Sequence, residues 1–207
     1  MALNPFAKSS NPHLLEVGMV GTKMGERFVQ LGCAHAGRLG AVAAKVGLSG
    51  RAVALVPDEA SAARAQKGAA QAGVLIEVEV APMTALPVDA GAFDVAVVDD
   101  TGGLVAAIPP GDRARLIREL FRILRPAGRV VVVGAVPSGG LGALFRRPSS
   151  EPSLAASGAF HELLASGGFH PVRTLAERDG LVFVEALKPR AAGAEKAGTA
   201  GTAERAG

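Results

Sequence analysis

The chain has 207 residues, of which 49% are hydrophobic, and its 22 basic and 19 acidic side chains leave a formal net charge of +3. This length and apolar content predict one domain with a single core. The small charge excess and the absence of Trp and Tyr argue against a nucleic-acid-binding surface. The lone Cys33 excludes an internal disulfide framework and favours a reducing, cytoplasmic location.

The first 26 residues predict an N-terminal arm of turns with a short amphipathic segment at 14–19. This arm has no continuous apolar core of the kind that a signal peptide needs. The longest uncharged apolar run, at 130–145, is broken by Pro137 and is shorter than the about twenty apolar residues of a membrane span. We therefore expect no transmembrane segment.

From residue 27 onward, apolar runs typical of strands alternate with segments of helical periodicity. The predicted strands lie at 27–31, 52–56, 74–80, 93–98 and 129–133, and the predicted helices at 38–46, 58–72 and 112–124. Glu77 and Glu79 alternate with apolar residues, which indicates an edge strand with one wetter face.

The order of these elements predicts an α/β fold with a doubly wound, mostly parallel sheet, whose ligand crevice lies at the carboxyl ends of the strands. Four loops then share one rim, at 32–37, 57–59, 82–84 and 99–103. After a last helix at 159–166, strands at 172–177 and 181–187 with a tight turn at 178–180 predict a terminal antiparallel hairpin. The tail at 190–207 lacks apolar periodicity and is predicted to be disordered.

The stretch at 27–37 reads R-F-V-Q-L-G-C-A-H-A-G, in which Gly32, Ala34 and Gly37 form a softened G-x-G-x-x-G pattern. Small residues in such a turn let a ligand approach the backbone at a helix N-terminus. A purely structural turn explains the same spacing equally well. A nicotinamide cofactor is a further alternative, although a chain without tyrosine lacks the Tyr and Lys pair of the short-chain reductases.

Several segments together resemble the class I S-adenosylmethionine-dependent methyltransferases, particularly the group that acts in quinone biosynthesis and on other small molecules. They are G-E-R-F-V-Q-L-G-C-A-H-A-G at 25–37, A-L-P-V-D-A-G-A-F-D-V-A-V-V at 85–98, R-E-L-F-R-I-L-R-P-A-G-R-V-V-V-V at 118–133, G-F-H-P-V-R at 168–173 and L-V-F-V-E-A-L-K-P at 181–189. The resemblance covers about 18–189. It implies a seven-stranded sheet whose last strand is antiparallel, S-adenosylmethionine as cofactor, a small-molecule methyl acceptor, and a domain at 27–189.

The resemblance also implies ten cofactor-binding positions. They are Gln30, Gly32, Cys33, Ala34, Gly37, Pro57, Asp58, Met83, Thr84 and Asp99. Gln30 replaces the family's acidic residue, Pro57 or Asp58 occupies the position of the ribose-binding acid, and Pro82 occupies that of the adenine-binding acid. This degenerate motif leaves two interpretations open: a methyltransferase with a rearranged pocket, or an inactive pseudo-methyltransferase that acts as a binding or interaction module.

Asp99 and His35 are the candidate catalytic residues. Asp99 follows the fourth predicted strand, beside the acceptor position that the resemblance implies, where it acts as a general base or substrate contact, or caps a helix. His35 acts as a base, stacks on a ligand, or points to solvent. Cys33 is interpreted as a packed small residue, with a reactive thiol as the alternative. The four histidines show no ligand spacing, so no metal is expected.

The segment at 137–152 is a candidate contact with a partner or a membrane surface. It sets Leu141, Leu144 and Phe145 beside Arg146 and Arg147. An apolar patch next to two arginines fits such a contact, or closure over a substrate. The alternative is a flexible surface insertion.

Overall fold

The computed structural model describes residues 12–136, 154 and 158–190. Its helices are α1 Leu14–Val20, α2 Ala36–Ala43, α3 Glu59–Ala72, α4 Pro110–Ile123 and α5 Ala159–Ser166. Its strands are β1 Arg27–Leu31, β2 Arg51–Val56, β3 Glu77–Val80, β4 Phe93–Asp100, β5 Leu124–Ala135, β6 Val172–Arg178 and β7 Leu181–Leu187. The predictions for the segment at 137–152 and for the tail beyond residue 190 concern residues outside these ranges.

The strands form one seven-stranded sheet in the order β3-β2-β1-β4-β5-β7-β6. The first five are parallel, and β7 runs antiparallel to both β5 and β6. This arrangement confirms the predicted fold class, including the terminal hairpin and the edge position of β3. The carboxyl ends of β1, β2 and β4 therefore meet at one edge of the sheet.

Two apolar cores cover the two faces of the sheet. On one face, Val29 and Val98 pack with Leu116 and Leu120 of α4. On the other face, Phe28, Val95 and Val97 pack with apolar residues of α2 and α3. Because neighbouring residues of β1 and β4 point to opposite faces, these strands are apolar almost throughout, as expected for the centre of a parallel sheet.

Several elements begin or end at different residues from those predicted. β4 extends through Asp99 and Asp100, because both continue the parallel pairing with β5. α2 begins at Ala36 and ends at Ala43, before the turn at Gly47. β3 is only four residues long, since its pairing with β2 is confined to that stretch.

The boundaries of α3 and of the hairpin follow from local backbone chemistry. The Asp58 carboxylate accepts the Ser61 N–H at 2.7 Å and so caps the N-terminus of α3. Gly73 ends that helix with a φ of +64°. Asp179 and Gly180 both have positive φ, which gives the β6–β7 hairpin the twist of a two-residue turn.

Candidate functional site

A cavity of about 490 Å³ opens where β1, β2 and β4 end. It is lined by Gly32, Cys33, Ala34, Pro57, Asp58, Ser61, Arg64, Met83, Thr84, Asp99, Gly102, Gly103, Leu104, Ala107, Ile108, Pro109 and Asp112. Its volume lies within the usual range for small-molecule sites, which is roughly 300 to 1,000 Å³. The cavity occupies the crevice that the doubly wound topology predicts.

The turn after β1 requires glycine at position 32. Gly32 has a φ of +76°, and a Cβ there would lie 2.9 Å from Leu104 Cδ2 and 3.2 Å from the Asp99 carbonyl oxygen. Gln30 is buried directly beneath this turn, and its Nε2 donates to the Gly32 carbonyl at 3.0 Å. The Gln30 side chain therefore supports the turn from below.

Asp99 connects this turn to the end of β4. Its Oδ2 accepts the Ala34 N–H at 3.0 Å, while its Oδ1 accepts from Arg38 Nη1 at 3.1 Å and from the Thr101 hydroxyl at 2.6 Å. Arg38 also donates to Glu16 of α1 at 3.3 Å. These hydrogen bonds to both carboxylate oxygens fix the orientation of Asp99 in the cavity wall.

The β2 side of the cavity is polar. Asp58 lies at this rim, and the hydrogen bonds from Ser61 lower the pKa of its carboxyl. Arg64 reaches across from α3, where its Nε donates to the Cys33 carbonyl at 2.8 Å and its Nη2 to the Ser61 hydroxyl at 2.7 Å. A ligand at this rim therefore meets both a carboxylate and a guanidinium.

The β4 side of the cavity is mostly apolar and is formed by the segment at 101–109, which contributes Leu104 and Ile108. Asp100 holds this segment by accepting the Val105 N–H at 2.6 Å, and Arg113 Nε donates to the carbonyls of Val105 and Ile108 at 3.1 Å. Burial raises the pKa of the Asp100 carboxyl to about 6. These contacts hold Leu104 beside the Gly32 turn, where a Cβ on residue 32 would lie 2.9 Å from Leu104 Cδ2.

Most of the predicted cofactor positions come together in this cavity. Eight of the ten line it, namely Gly32, Cys33, Ala34, Pro57, Asp58, Met83, Thr84 and Asp99. Gln30 lies below the turn, and Gly37 lies under His13, where a Cβ would be 2.7 Å from the His13 Nε2.

Further roles were predicted for two residues of the turn, His35 and Cys33. His35 does not line the cavity, and its ring meets that of His13 edge to face with centroids 5.0 Å apart. Cys33 is 3% exposed, and burial raises the pKa of its thiol to about 11. The thiol therefore stays protonated at neutral pH, which leaves it a packed small residue.

Sequence reasoning missed Ser61, Arg64, Asp112 and the apolar residues at 104–109. For two of these a signal existed. Asp58, Ser61 and Arg64 recur at intervals of three residues, and a helix that begins at the carboxyl end of β2 places such residues on the side of the cavity. The apolar residues of the segment at 101–109 carry no comparable periodicity.

Within residues 12–136, 154 and 158–190, no three His, Cys, Asp or Glu side chains are grouped so as to hold a metal ion. No helix in the same ranges is long and apolar enough to cross a membrane.

The family model described as "Methyltransferase domain" matches residues 28–128. No curated protein matches the sequence. Among solved structures, a SAM-dependent methyltransferase from Aquifex aeolicus is similar with a TM-score of 0.65 and 19% identity, over 85% of this chain and 93% of that one.

Two further solved structures share the fold. The [4+2]-cyclase SpnF is similar with a TM-score of 0.63 and 17% identity, over 86% of this chain and 79% of that one. The S-adenosylmethionine-dependent methyltransferase SibL in its apo form has a TM-score of 0.63 and 24% identity, over 87% of this chain and 55% of that one. At these identities the likeness concerns the fold alone, since one fold supports different reactions.

Proposed function

Since the chain carries a methyltransferase domain in the fold of the class I S-adenosylmethionine-dependent methyltransferases, we propose that it binds S-adenosylmethionine and transfers the methyl group to a small molecule. The observation that carries the proposal is the cavity at the end of β1, where the Gly32 turn faces the polar rim formed by Asp58 and Thr84. In this proposal residues 27–189 form the catalytic domain, and the protein acts in the cytoplasm.

The residues of the cavity fit an adenosine cofactor in three respects. Gly32 offers bare backbone at a position where a Cβ would meet Leu104 and the Asp99 carbonyl, so a ligand is able to approach the chain closely. Asp58 accepts the Ser61 N–H with Oδ1, and in this proposal its Oδ2 accepts a ribose hydroxyl. Thr84 adds a hydroxyl on the β3 side.

Bound S-adenosylmethionine supplies a methyl group made electrophilic by the sulfonium sulfur. The chain's own contribution is to bind and orient: Asp99 holds the Gly32 turn through the Ala34 N–H, and Leu104 and Ile108 form an apolar wall beside it. This wall supports an acceptor with an apolar body, which is also what the resemblance to the quinone-biosynthesis group favours.

The cofactor proposal is tested by titration calorimetry with S-adenosylmethionine and S-adenosylhomocysteine on Gly32→Ala. We expect the substitution to weaken binding at least about tenfold, a change of about 1.4 kcal/mol, because the new Cβ intrudes on the turn. Gly73→Ala is the matched control. It introduces the same left-handed strain, about 1 to 2 kcal/mol, at a position with no atom within 4 Å of the new Cβ.

Affinity that is unchanged in Gly32→Ala, or lost equally in Gly73→Ala, would contradict this placement of the cofactor. If the wild-type protein binds neither ligand at millimolar concentration, the cofactor proposal fails altogether.

A second candidate function is that of a catalytically inactive methyltransferase fold that binds a ligand or partner. The observation in its favour is that Asp99, the candidate base, has both carboxylate oxygens occupied by Ala34, Arg38 and Thr101. A panel of phenols, thiols and amines with labelled cofactor separates the two functions. Cofactor binding without methylated product from any of them favours the inactive form.

A further inference from the structure

Arg64 is an exposed cation at the rim of the cavity, and it forms no ion pair with a carboxylate among the described residues. Its Nε and Nη2 donate to the Cys33 carbonyl and the Ser61 hydroxyl, and no carboxylate in the described ranges lies within ion-pair distance of it. Nine other arginines in the same ranges each form an ion pair: Arg27, Arg38, Arg51, Arg115, Arg122, Arg125, Arg129, Arg173 and Arg178. Arg64 therefore differs from most of the described arginines, which form an ion pair with a carboxylate.

The two hydrogen bonds fix the guanidinium while leaving part of its donor edge available. Ser61 is 4% exposed and the Cys33 carbonyl belongs to the turn after β1, so both acceptors are held by packed structure. Nη1 makes no hydrogen bond within the described part of the chain. A guanidinium held in this way loses little conformational entropy when a ligand binds.

The charges around the cavity determine which ligand groups the free Nη1 of Arg64 favours. Arg64 is the one Lys or Arg among the described lining residues, which also include the carboxylates of Asp58, Asp99 and Asp112. Asp99 is paired with Arg38, and Asp112 is paired with Arg115. Asp58 accepts the Ser61 N–H and forms no ion pair with Arg64, although the nearby Arg64 charge, after the hydrogen bonds from Ser61, helps to lower the pKa of its carboxyl. The free Nη1 of Arg64 is therefore a donor available to an anionic oxygen.

We propose that Arg64 binds an anionic oxygen of the ligand, so that the cavity discriminates in favour of nucleosides that carry a carboxylate or phosphate. This inference rests on the proposed function, because it assumes that the cavity binds a nucleoside. The contact between Arg64 and an anion does not itself depend on methyl transfer. The shared chemistry is a negatively charged oxygen, supplied either by the amino-acid half of S-adenosylmethionine or by a phosphate. A hydrogen bond to a charged group contributes roughly 1.5 to 3 kcal/mol, which corresponds to about 10- to 150-fold in affinity.

The test measures dissociation constants for three probes that share adenosine. S-adenosylhomocysteine carries a carboxylate, 5′-methylthioadenosine lacks it, and adenosine 5′-phosphate carries a phosphate. The variants are Arg64→Gln, which removes the charge, and Arg64→Lys, which keeps the charge but loses the planar guanidinium with its several N–H donors. Arg118→Gln is the matched control, because Arg118 is exposed on α4, does not line the cavity, and loses the same unit charge. Melting temperatures establish that each variant is folded.

We expect Arg64→Gln to weaken an anionic probe about 10- to 150-fold while 5′-methylthioadenosine changes less than about twofold. Arg64→Lys is expected to fall between, and Arg118→Gln to match the wild type. A loss confined to S-adenosylhomocysteine identifies the cofactor's carboxylate as the anion, and a loss confined to adenosine 5′-phosphate identifies a phosphate.

Equal effects of Arg64→Gln on all three probes, or no effect on any of them, would overturn the proposal that Arg64 binds an anion. Neither result would contradict the proposal that the cavity binds S-adenosylmethionine. In contrast, a wild-type protein that binds adenosine 5′-phosphate through Arg64 but neither of the other probes would disprove the cofactor and keep the anion site. A wild type that binds none of the three overturns both.

Discussion

Asp99 shows how one buried carboxylate organises the candidate site. It is 2% exposed and joins the turn after β1, Arg38 of α2 and Thr101 at the end of β4. Arg38 in turn contacts Glu16, so the N-terminal helix is tied to the same cluster. A buried charge with this many partners costs little as it stands but a great deal when a partner is removed.

Asp99→Asn is expected to destabilise the protein by about 3 to 5 kcal/mol, since one oxygen that accepts hydrogen bonds becomes an NH2 group facing donors. Urea unfolding measures the change. Asp112→Asn is the control for stability, because its ion pair with Arg115 is exposed and contributes less than about 1 kcal/mol. Equal losses in the two variants would show that the Asp99 cluster does not stabilise the fold.

At the scale of elements, the segment at 101–109 forms the apolar side of the cavity. It lies between β4 and α4, and side chains at the end of β4 and in α4 hold it: Asp100 accepts the Val105 N–H, and Arg113 donates to the Val105 and Ile108 carbonyls. Leu104 is thereby kept against Gly32. The wall of the cavity is thus set by backbone hydrogen bonds to side chains of two flanking elements.

The Asp100 carboxyl makes this segment sensitive to pH. Burial raises its pKa to about 6, so the folded state holds the proton more tightly than the unfolded chain does. The stability that this group contributes is fully present below its ordinary pKa and is lost as the pH rises through about 6. At pH 7.5 the ionised carboxylate is therefore a cost.

Asp100→Asn removes this cost and keeps an oxygen for the Val105 N–H. We expect the variant to be more stable than the wild type by about 1 to 3 kcal/mol at pH 7.5, and to lose this advantage near pH 4. Denaturant unfolding at pH 4, 6 and 7.5 measures the difference, in which titration of all other groups largely cancels. If the stability difference between Asp100→Asn and the wild type stays constant across these pH values, the raised pKa of Asp100 is contradicted.

At the scale of the whole molecule, the edge of the sheet opposite the cavity is tied together by Asp94. This β4 residue accepts the Arg27 N–H at 2.7 Å and pairs with the guanidinium groups of Arg27 at the start of β1 and Arg125 in β5. Burial alone would raise the pKa of its carboxyl, but the hydrogen bonds from the two arginines outweigh it and hold the pKa well below its usual range.

Asp94→Asn is expected to cost about 1 to 2 kcal/mol at pH 7, because both arginines are partly exposed and only part of the charge pairing is lost. The lowered pKa means that the wild type keeps this stability above the ordinary pKa of Asp and loses it as the pH falls through the folded value. The gap between variant and wild type should therefore narrow toward pH 2.5 in urea unfolding.

Glu77→Gln serves as the comparison, since its pair with Arg51 also joins two neighbouring strands but is exposed on both sides. We expect it to cost less than about 0.5 kcal/mol at pH 7. A larger loss in Glu77→Gln than in Asp94→Asn would show that burial does not set the strength of these interstrand pairs.

The sequence by itself determined the order of the elements, the parallel sheet, the terminal hairpin and the small-residue turn at Gly32, because these depend on local periodicity and on the residues that turns require. Only the tertiary structure decided what the side chains of the site contact. Asp99 meets Ala34 across 65 positions of chain, and Arg64 meets Cys33 across 31. Such pairs arise when β1 lies beside β2 and β4, and no local pattern in the sequence records which polar groups that neighbourhood brings within hydrogen-bonding distance.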